Sequence, residues 1–121
     1  MFKLFSMEEA NKLIPAVEML VNDMQDSVQA IAQLRSELKT QTKHTVAVQN
    51  KVQELHFLMN SVKQTKLELD RMGVFVQDMD AGLVDFPSEV AGEVVCLSWE
   101  KGENAIGHYH RLNEGTRLPL A

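Results

Sequence analysis

Imidazole and carboxylate side chains occupy strand-like positions in the last third of the chain. Residues 105–112 are predicted to form the last strand, and because side chains alternate between its two faces, His108 and His110 should share one face. Two histidines at this spacing can chelate a metal ion, but the ion needs at least one further ligand. Asp85 and Glu103, in neighbouring strands or turns, carry the carboxylates that divalent-metal sites commonly use.

These residues define the site that the sequence predicts. If the β unit carries a metal or small-ligand site, we expect it to consist of Asp85, Glu103 and His110, with His108 as a less favoured fourth member. Each of the three lies at a strand end or just after a turn, so an antiparallel meander can bring them to one edge of a sheet. The cofactor is left open, with a divalent metal ion as the candidate. Ordinary local hydrogen bonds are the favoured explanation of these residues, and the site is the alternative.

Cys96 is the only cysteine of the chain, which excludes an internal disulfide and a cysteine-rich zinc site. It alternates out of phase with Trp99, so its thiol should point away from the face of the tryptophan and be a buried structural group. As a nucleophile it would need a neighbouring base, and no sequence feature places one. The sequence also lacks a phosphate-binding loop, a nucleophile elbow and a zinc-protease helix motif, so an enzymatic reaction is neither assigned nor excluded.

A long amphipathic helix should precede the residues of the site. Ser6 followed by Glu9 is the capping-box pattern, which predicts that the helix begins near Met7. From Ala10 to Leu38, apolar side chains recur in steps of three and four residues. This spacing indicates an apolar seam that must pack against other elements.

The chain should then reverse into a second helix of the same kind. Residues 39–45 are polar and predict a turn, and the apolar period resumes until Gly73 offers a C-terminal stop, so the second helix should span roughly 45–72. The pattern therefore predicts a helical hairpin over 6–72. A two-helix hairpin leaves one flank of each seam uncovered, so we expect a homo-oligomer, with a dimer favoured.

Residues 73–121 carry strand and turn signals instead. After Gly73, apolar side chains recur at every second residue, and an Asp- and Gly-rich turn separates the first two predicted strands. Pro87 should end the second strand, the strong β run 93–99 forms the third, and the segment after 112 should be irregular. The predicted fold is α+β, a long antiparallel helical hairpin followed by a small antiparallel β meander in a single domain, 1–121.

Composition and charge limit the partners. The 121 residues are 45% hydrophobic and 24% charged, as in an ordinary globular protein, and no apolar run reaches the ~18–20 residues that span a bilayer. The start of the chain turns acidic, unlike a secretion signal, so a cytosolic location is expected. Residues 35–67 carry six basic and two acidic side chains, but only one of the six is arginine. We therefore expect neither nucleic acid nor membrane as a partner.

Several short motifs together resemble those of an uncharacterised family of small bacterial proteins. They are Glu9-Ala-Asn-Lys-Leu-Ile-Pro15, Gly82-Leu-Val-Asp-Phe-Pro87, Cys96-Leu-Ser-Trp99, Gly102-Glu103 and Tyr109-His110. The resemblance covers nearly the whole chain and implies the same helical hairpin and β unit, but it brings no established reaction. Its shared polar positions include Asp85, Glu103 and His110, whereas family members tend to carry an aromatic or apolar residue in place of His108.

Two functional hypotheses follow from the sequence. In the first, the chain is a non-enzymatic interaction or scaffold protein whose hairpins pair into a four-helix bundle, with the β unit available to a protein partner. In the second, the chain binds a metal or small ligand on the β unit and could be an enzyme. We favour the first hypothesis at this point because it requires only the two helix seams.

Overall fold

The fold is an α+β arrangement of two helices and a five-stranded sheet, seen in a computed structural model that describes residues 3–120. The predicted helical hairpin and antiparallel meander are both confirmed. Met1, Phe2 and Ala121, which the predicted domain 1–121 includes, lie outside the described residues. The elements are α1 (Met7–Lys39), α2 (Val46–Met72), β1 (Phe75–Asp78), β2 (Leu83–Val90), β3 (Glu93–Glu100), β4 (His108–Arg111) and β5 (Leu118–Pro119).

The ends of both helices are set by local capping. The hydroxyl of Ser6 accepts a hydrogen bond from the amide of Glu9, and the Glu9 carboxylate accepts one from the amide of Ser6, both at 3.0 Å. The hydroxyl of Thr45 accepts one hydrogen bond from the amide of Val48 at the start of α2, and Gly73 ends this helix with a φ of 86°. These groups satisfy backbone atoms that a helix end leaves unpaired, which is why the sequence located the helix limits to within about one residue.

The sheet is a simple antiparallel meander in the order β1-β2-β3-β4-β5. Its longest ladder joins β2 and β3 through eight residue pairs, from Leu83 opposite Glu100 to Val90 opposite Glu93. The connection is the two-residue turn Ala91–Gly92, in which both residues have positive φ, 52° and 81°. Turns of this type match the right-handed twist of the strands. This turn fixes the register in which β2 and β3 pair.

Pro87 does not end the second strand as the sequence predicted. It lies inside β2, opposite Cys96, and the strand continues to Val90. The carbonyl of Pro87 accepts a hydrogen bond from the amide of Phe5 at 2.7 Å, on the side away from β3. Because the amide and carbonyl of one strand residue face the same neighbour, the missing N–H of Pro87 removes no bond to β3. Pro87 therefore occupies an edge position, which β1 does not reach.

The last predicted strand is also corrected. Strand β4 begins only at His108, since the amide of Ile106 donates to the side chain of Asn11 at 2.9 Å and its own side chain is buried in the core. Ile106 therefore does not lie on the face that carries His108 and His110, although a regular strand over residues 105–112 would have placed it there. The segment expected to be irregular contains the short strand β5, which pairs Leu118 with Tyr109.

One face of the sheet packs on the first half of α1 and the last turns of α2. The core there contains these buried side chains: Phe5, Ala10, Ile14, Val17, Val21, Met24, Leu69, Val74, Val84, Phe86, Leu97, Trp99 and Ile106. The rest of the hairpin extends beyond the sheet, and Leu69 is the one buried residue of α2. The opposite face of the sheet, which we call the outer face, points away from the helices. Neither helix in the described range has the length and apolar character needed to cross a bilayer.

Candidate metal centre

Three strands each contribute one reactive side chain to the outer face of the sheet. Register places Cys96 of β3 directly opposite His110 of β4 and opposite Pro87 of β2. Asp85, two residues before Pro87, shares its face and is diagonal to Cys96. All three side chains are buried, with residue exposures of 4% for Asp85 and 8% each for Cys96 and His110.

The three side chains converge on a small volume. One potential ligand atom from each, a carboxylate oxygen, the thiol sulfur and an imidazole nitrogen, lies within 4.8 Å of the other two. Nε2 of His110 is 2.9 Å from Oδ2 of Asp85. Nδ1 of the same ring is 3.0 Å from the carbonyl oxygen of Arg111, which can only accept a hydrogen bond. The Nδ1 position therefore carries a proton, and Nε2 is the ring atom directed towards the cluster.

Two polar atoms of the cluster lack a proper hydrogen-bond partner. Oδ1 of Asp85 and Nε2 of His110 are buried and have no aligned partner within residues 3–120. Although Nε2 lies close to Oδ2, an N–H there would not be directed at that oxygen. Buried polar groups are usually satisfied, because an unpaired one costs about 1–3 kcal/mol. A cation bound by Oδ1 of Asp85 and Nε2 of His110 would satisfy both atoms.

Each member of the cluster favours its protonated form. Burial raises the pKa of Asp85, although His110 and the charge of Arg117 oppose the shift. Burial alone would lower the pKa of His110, but the Arg111 carbonyl and the Asp85 carboxylate outweigh it, so that pKa is raised. Burial and the nearby Asp85 raise the pKa of Cys96 to about 11. Because a bound cation takes deprotonated ligands, protons would compete with it at all three groups.

The arrangement does not activate Cys96 as a nucleophile. With a pKa of about 11 the thiol stays protonated at neutral pH. Thiolate, imidazole and carboxylate are instead the three ligand types that zinc takes from proteins.

Glu103 lies outside this cluster. Its Oε1 accepts hydrogen bonds from Arg117 at 2.8 Å and from the amide of Glu100 at 2.6 Å. Its carbonyl accepts from the indole nitrogen of Trp99 at 2.8 Å. His108 belongs to this second group, with Nδ1 3.5 Å from Oε2 of Glu103. Of the predicted site residues, the structure thus brings Asp85 and His110 together and directs Glu103 and His108 to a separate ion-pair network.

Cys96 is the cluster residue that sequence reasoning did not assign to the site. The alternation argument placed its thiol correctly, on the face opposite Trp99, but not its neighbours. The signal that would have located them is the Ala91–Gly92 turn. A two-residue turn there pairs Cys96 with Pro87 and so places Asp85 diagonally beside the thiol.

A cavity of about 480 Å³ adjoins the cluster on the outer face. Its floor consists of Asp85, Pro87, Cys96 and His110. Its walls come from the edge strand β1, from the start of β3 and from the turn after β4, and they are formed by Phe75, Gln77, Val94, Leu112, Asn113, Glu114 and Gly115. The volume is within the range of small-molecule sites, so a ligand could reach an ion held by the three side chains.

The fold and the cluster define the chain as an α+β protein with a candidate metal-binding site on the outer face of its sheet. The chain belongs to the family described as Uncharacterized conserved protein (DUF2203), whose model matches residues 3–118. The resemblance noted from the sequence motifs is thereby confirmed at the level of an uncharacterised family. Neither the curated proteins nor the solved structures contain a match to the chain.

Proposed function

We propose that this protein binds a divalent transition-metal ion, with zinc as the best fit, through Asp85, Cys96 and His110. The observation that carries the proposal is the convergence of three different ligand types, one from each of three neighbouring strands, within 4.8 Å in a buried position. The unpaired Oδ1 of Asp85 and Nε2 of His110 support it independently. The proposal retains two residues of the sequence-derived set and replaces Glu103 with Cys96.

The choice of zinc follows from the donor atoms. Calcium and magnesium prefer oxygen ligands, whereas a thiolate and an imidazole together favour zinc and its neighbours in the transition series. The Arg111 carbonyl would act as the outer group that fixes the orientation of a metal-binding histidine, as such carbonyls commonly do. Three protein ligands leave one tetrahedral position, which would face the adjoining cavity. That number of ligands is typical of zinc sites that accept a further small ligand.

Zinc should raise the thermal stability of the metal-depleted, untagged protein. At a free zinc concentration of about one hundred times the Kd, mass action adds about 2.7 kcal/mol to the free energy of unfolding. Melting followed by circular dichroism, with and without zinc, measures this increment, and elemental analysis of the purified protein gives the stoichiometry. An unchanged melting temperature, with no metal in the purified protein, contradicts the proposal.

The pH dependence of the same melts gives an independent test. Without metal, the raised pKa values of His110 and Cys96 mean that protonation of these two groups favours the folded state. The contribution of His110 is lost as pH rises above its ordinary pKa of 6.5, and that of Cys96 is lost between pH 9.0 and about 11. Zinc requires deprotonated ligands, so its stabilising increment should grow over the range in which the metal-free protein weakens. A zinc increment that is the same at about pH 6 and about pH 8 would indicate binding elsewhere.

We also propose that a second copy of the chain covers the distal part of the hairpin. Between residues 28 and 62, Leu34 is the one buried side chain, while Phe57 is 68% exposed and Met59 43%. Residues 3–34 are predominantly acidic and residues 35–67 predominantly basic, so two hairpins packed antiparallel bring opposite charges together. Such a homodimer would act as a cytosolic bacterial interaction or scaffold protein, with its β unit open to a protein partner.

Light scattering should give a mass of twice 13.7 kDa at micromolar concentration. Because opposite charges contribute to the antiparallel arrangement, dissociation should increase between about 0.1 M and 1 M salt, where the Debye length falls from about 10 Å to 3 Å. A mass of 13.7 kDa at both salt concentrations would rule out the dimer. If the dimer instead becomes more stable with salt, the proposal of a second copy stands, but the orientation that pairs opposite charges is wrong.

A further inference from the structure

We propose that the ligand of this metal site is a small apolar molecule that coordinates the ion through an uncharged donor atom, and that anions such as phosphate are excluded. The inference rests on the proposed metal site and extends it to a ligand class. It is carried by the charges and the apolar walls of the cavity next to Asp85, Cys96 and His110.

The charge of the centre disfavours anions. A zinc ion bound by one carboxylate and one thiolate has no net charge left to attract a negative ligand. Glu114 also lines the cavity with its carboxylate 3.8 Å from Arg111, and no lysine or arginine lines the cavity within the described part of the chain. Phosphate and carboxylate ligands would therefore find no basic partner in the lining.

The two nearest arginines are held by other partners. The guanidinium of Arg111 lies 3.5 Å from Glu93 and 3.8 Å from Glu114. Arg117 donates to the hydroxyl of Ser98 at 2.8 Å and to Glu103 at 2.8 Å, so its donors are directed to these groups although its charge also acts on Asp85. Neither side chain is thus directed into the cavity, where it could bind an anion.

The walls favour an apolar ligand. Phe75 and Leu112 line this cavity and are 47% and 59% exposed, and Val94 and Pro87 add further apolar lining. Large apolar side chains exposed around one concave site are typical of ligand-binding surfaces. A ligand with an apolar body would cover these side chains while its donor atom reaches the ion.

Cobalt-loaded protein allows the ligand class to be measured directly. Co²⁺ accepts the same ligands as zinc, and its visible spectrum reports a change of the fourth ligand. The probes are imidazole, 1-butylimidazole and inorganic phosphate, added at a pH where the two imidazoles are uncharged. We expect both imidazoles to shift the spectrum, with 1-butylimidazole binding about tenfold more tightly because its chain contacts the apolar walls. Phosphate should leave the spectrum unchanged.

Two exposed positions provide matched variants for the apolar contact. Leu112→Ser removes a cavity wall at a site that is 59% exposed, so folding should be preserved, whereas Met19→Ser makes the same kind of change on α1 at 61% exposure. The preference for 1-butylimidazole over imidazole should fall to less than about threefold in Leu112→Ser and be retained in Met19→Ser.

The outcomes separate the two proposals. If cobalt binds with a thiolate spectrum but the two imidazoles bind equally, or phosphate binds more tightly than 1-butylimidazole, the ligand class is wrong and the metal site stands. A preference for 1-butylimidazole that persists unchanged in Leu112→Ser also contradicts the apolar wall as its cause. If the wild-type protein gives no cobalt–thiolate spectrum, the proposed metal site is wrong, and the proposed ligand class is then wrong as well.

Discussion

Replacing His110 with alanine should weaken zinc binding by about a hundredfold or more while the helical hairpin stays folded. Loss of an outer group that orients a ligand already costs 10–100-fold in metal affinity, so loss of a ligand should exceed the upper end of that range. The imidazole packs on the outer face, away from the core that joins sheet and helices. Competition with a chromogenic chelator gives the affinity, and far-ultraviolet circular dichroism gives the helix content.

The matched control is His108→Ala, which removes the same ring two residues away on the same strand. Its Nδ1 lies 3.5 Å from Glu103 and not in the cluster, so zinc affinity should stay within about threefold of the wild type. Cys96→Ser provides a second test that alters one atom and preserves packing. If His110 and Cys96 serve structure only, their variants should lose about 1–2 kcal/mol of stability with no bound metal to lose. Equal zinc affinity in the His108 and His110 variants would end the assignment.

The helical hairpin was predictable because its signals are local. A helix repeats every 3.6 residues and its ends are marked by residues close by in the sequence, so the start at Ser6 and the stop at Gly73 could be located without knowing the rest of the fold. The alternation of β3 was equally local. It placed Trp99 in the core and Cys96 on the other face.

The residues that form the cluster were harder to predict because strand register is not local. Which side chains meet across a sheet depends on the turn that joins the strands, and one residue of slip transfers a side chain to the other face. The sequence-based prediction that Pro87 ends its strand left out the pairing of β2 with β3 that brings Asp85 beside Cys96. The hydrogen-bond partner of Glu103 is Arg117, which lies in the segment that was expected to be irregular. This contact was therefore not predictable from residues near Glu103 in the sequence.

Replacing Val21 with aspartate should unfold the protein, whereas replacing Leu55 with aspartate should dissociate it. From the sequence alone, aspartate is expected to have the same effect at both positions, because both lie in apolar helix seams. In the structure, Val21 is fully buried in the core between α1 and the sheet, while Leu55 lies on the distal part of α2, where side chains are only partly covered. The charge is therefore placed in two different environments.

At Val21, a carboxylate would be buried without a partner, and the loss should exceed about 4 kcal/mol, enough to remove most of the stability of a small domain. At Leu55, the carboxylate can reach water in the monomer but would be enclosed by a second hairpin. Leu55→Asp should therefore retain most of its helix content and give the monomer mass by light scattering. Gln53→Asp, which adds the same charge at an exposed position of the same helix, should stay dimeric. If Leu55→Asp stays dimeric with unchanged melting, the second copy does not pack on this face. If Leu55→Asp unfolds as completely as Val21→Asp, the distal part of the hairpin is not stable in a monomer, and the predicted folded monomer is wrong.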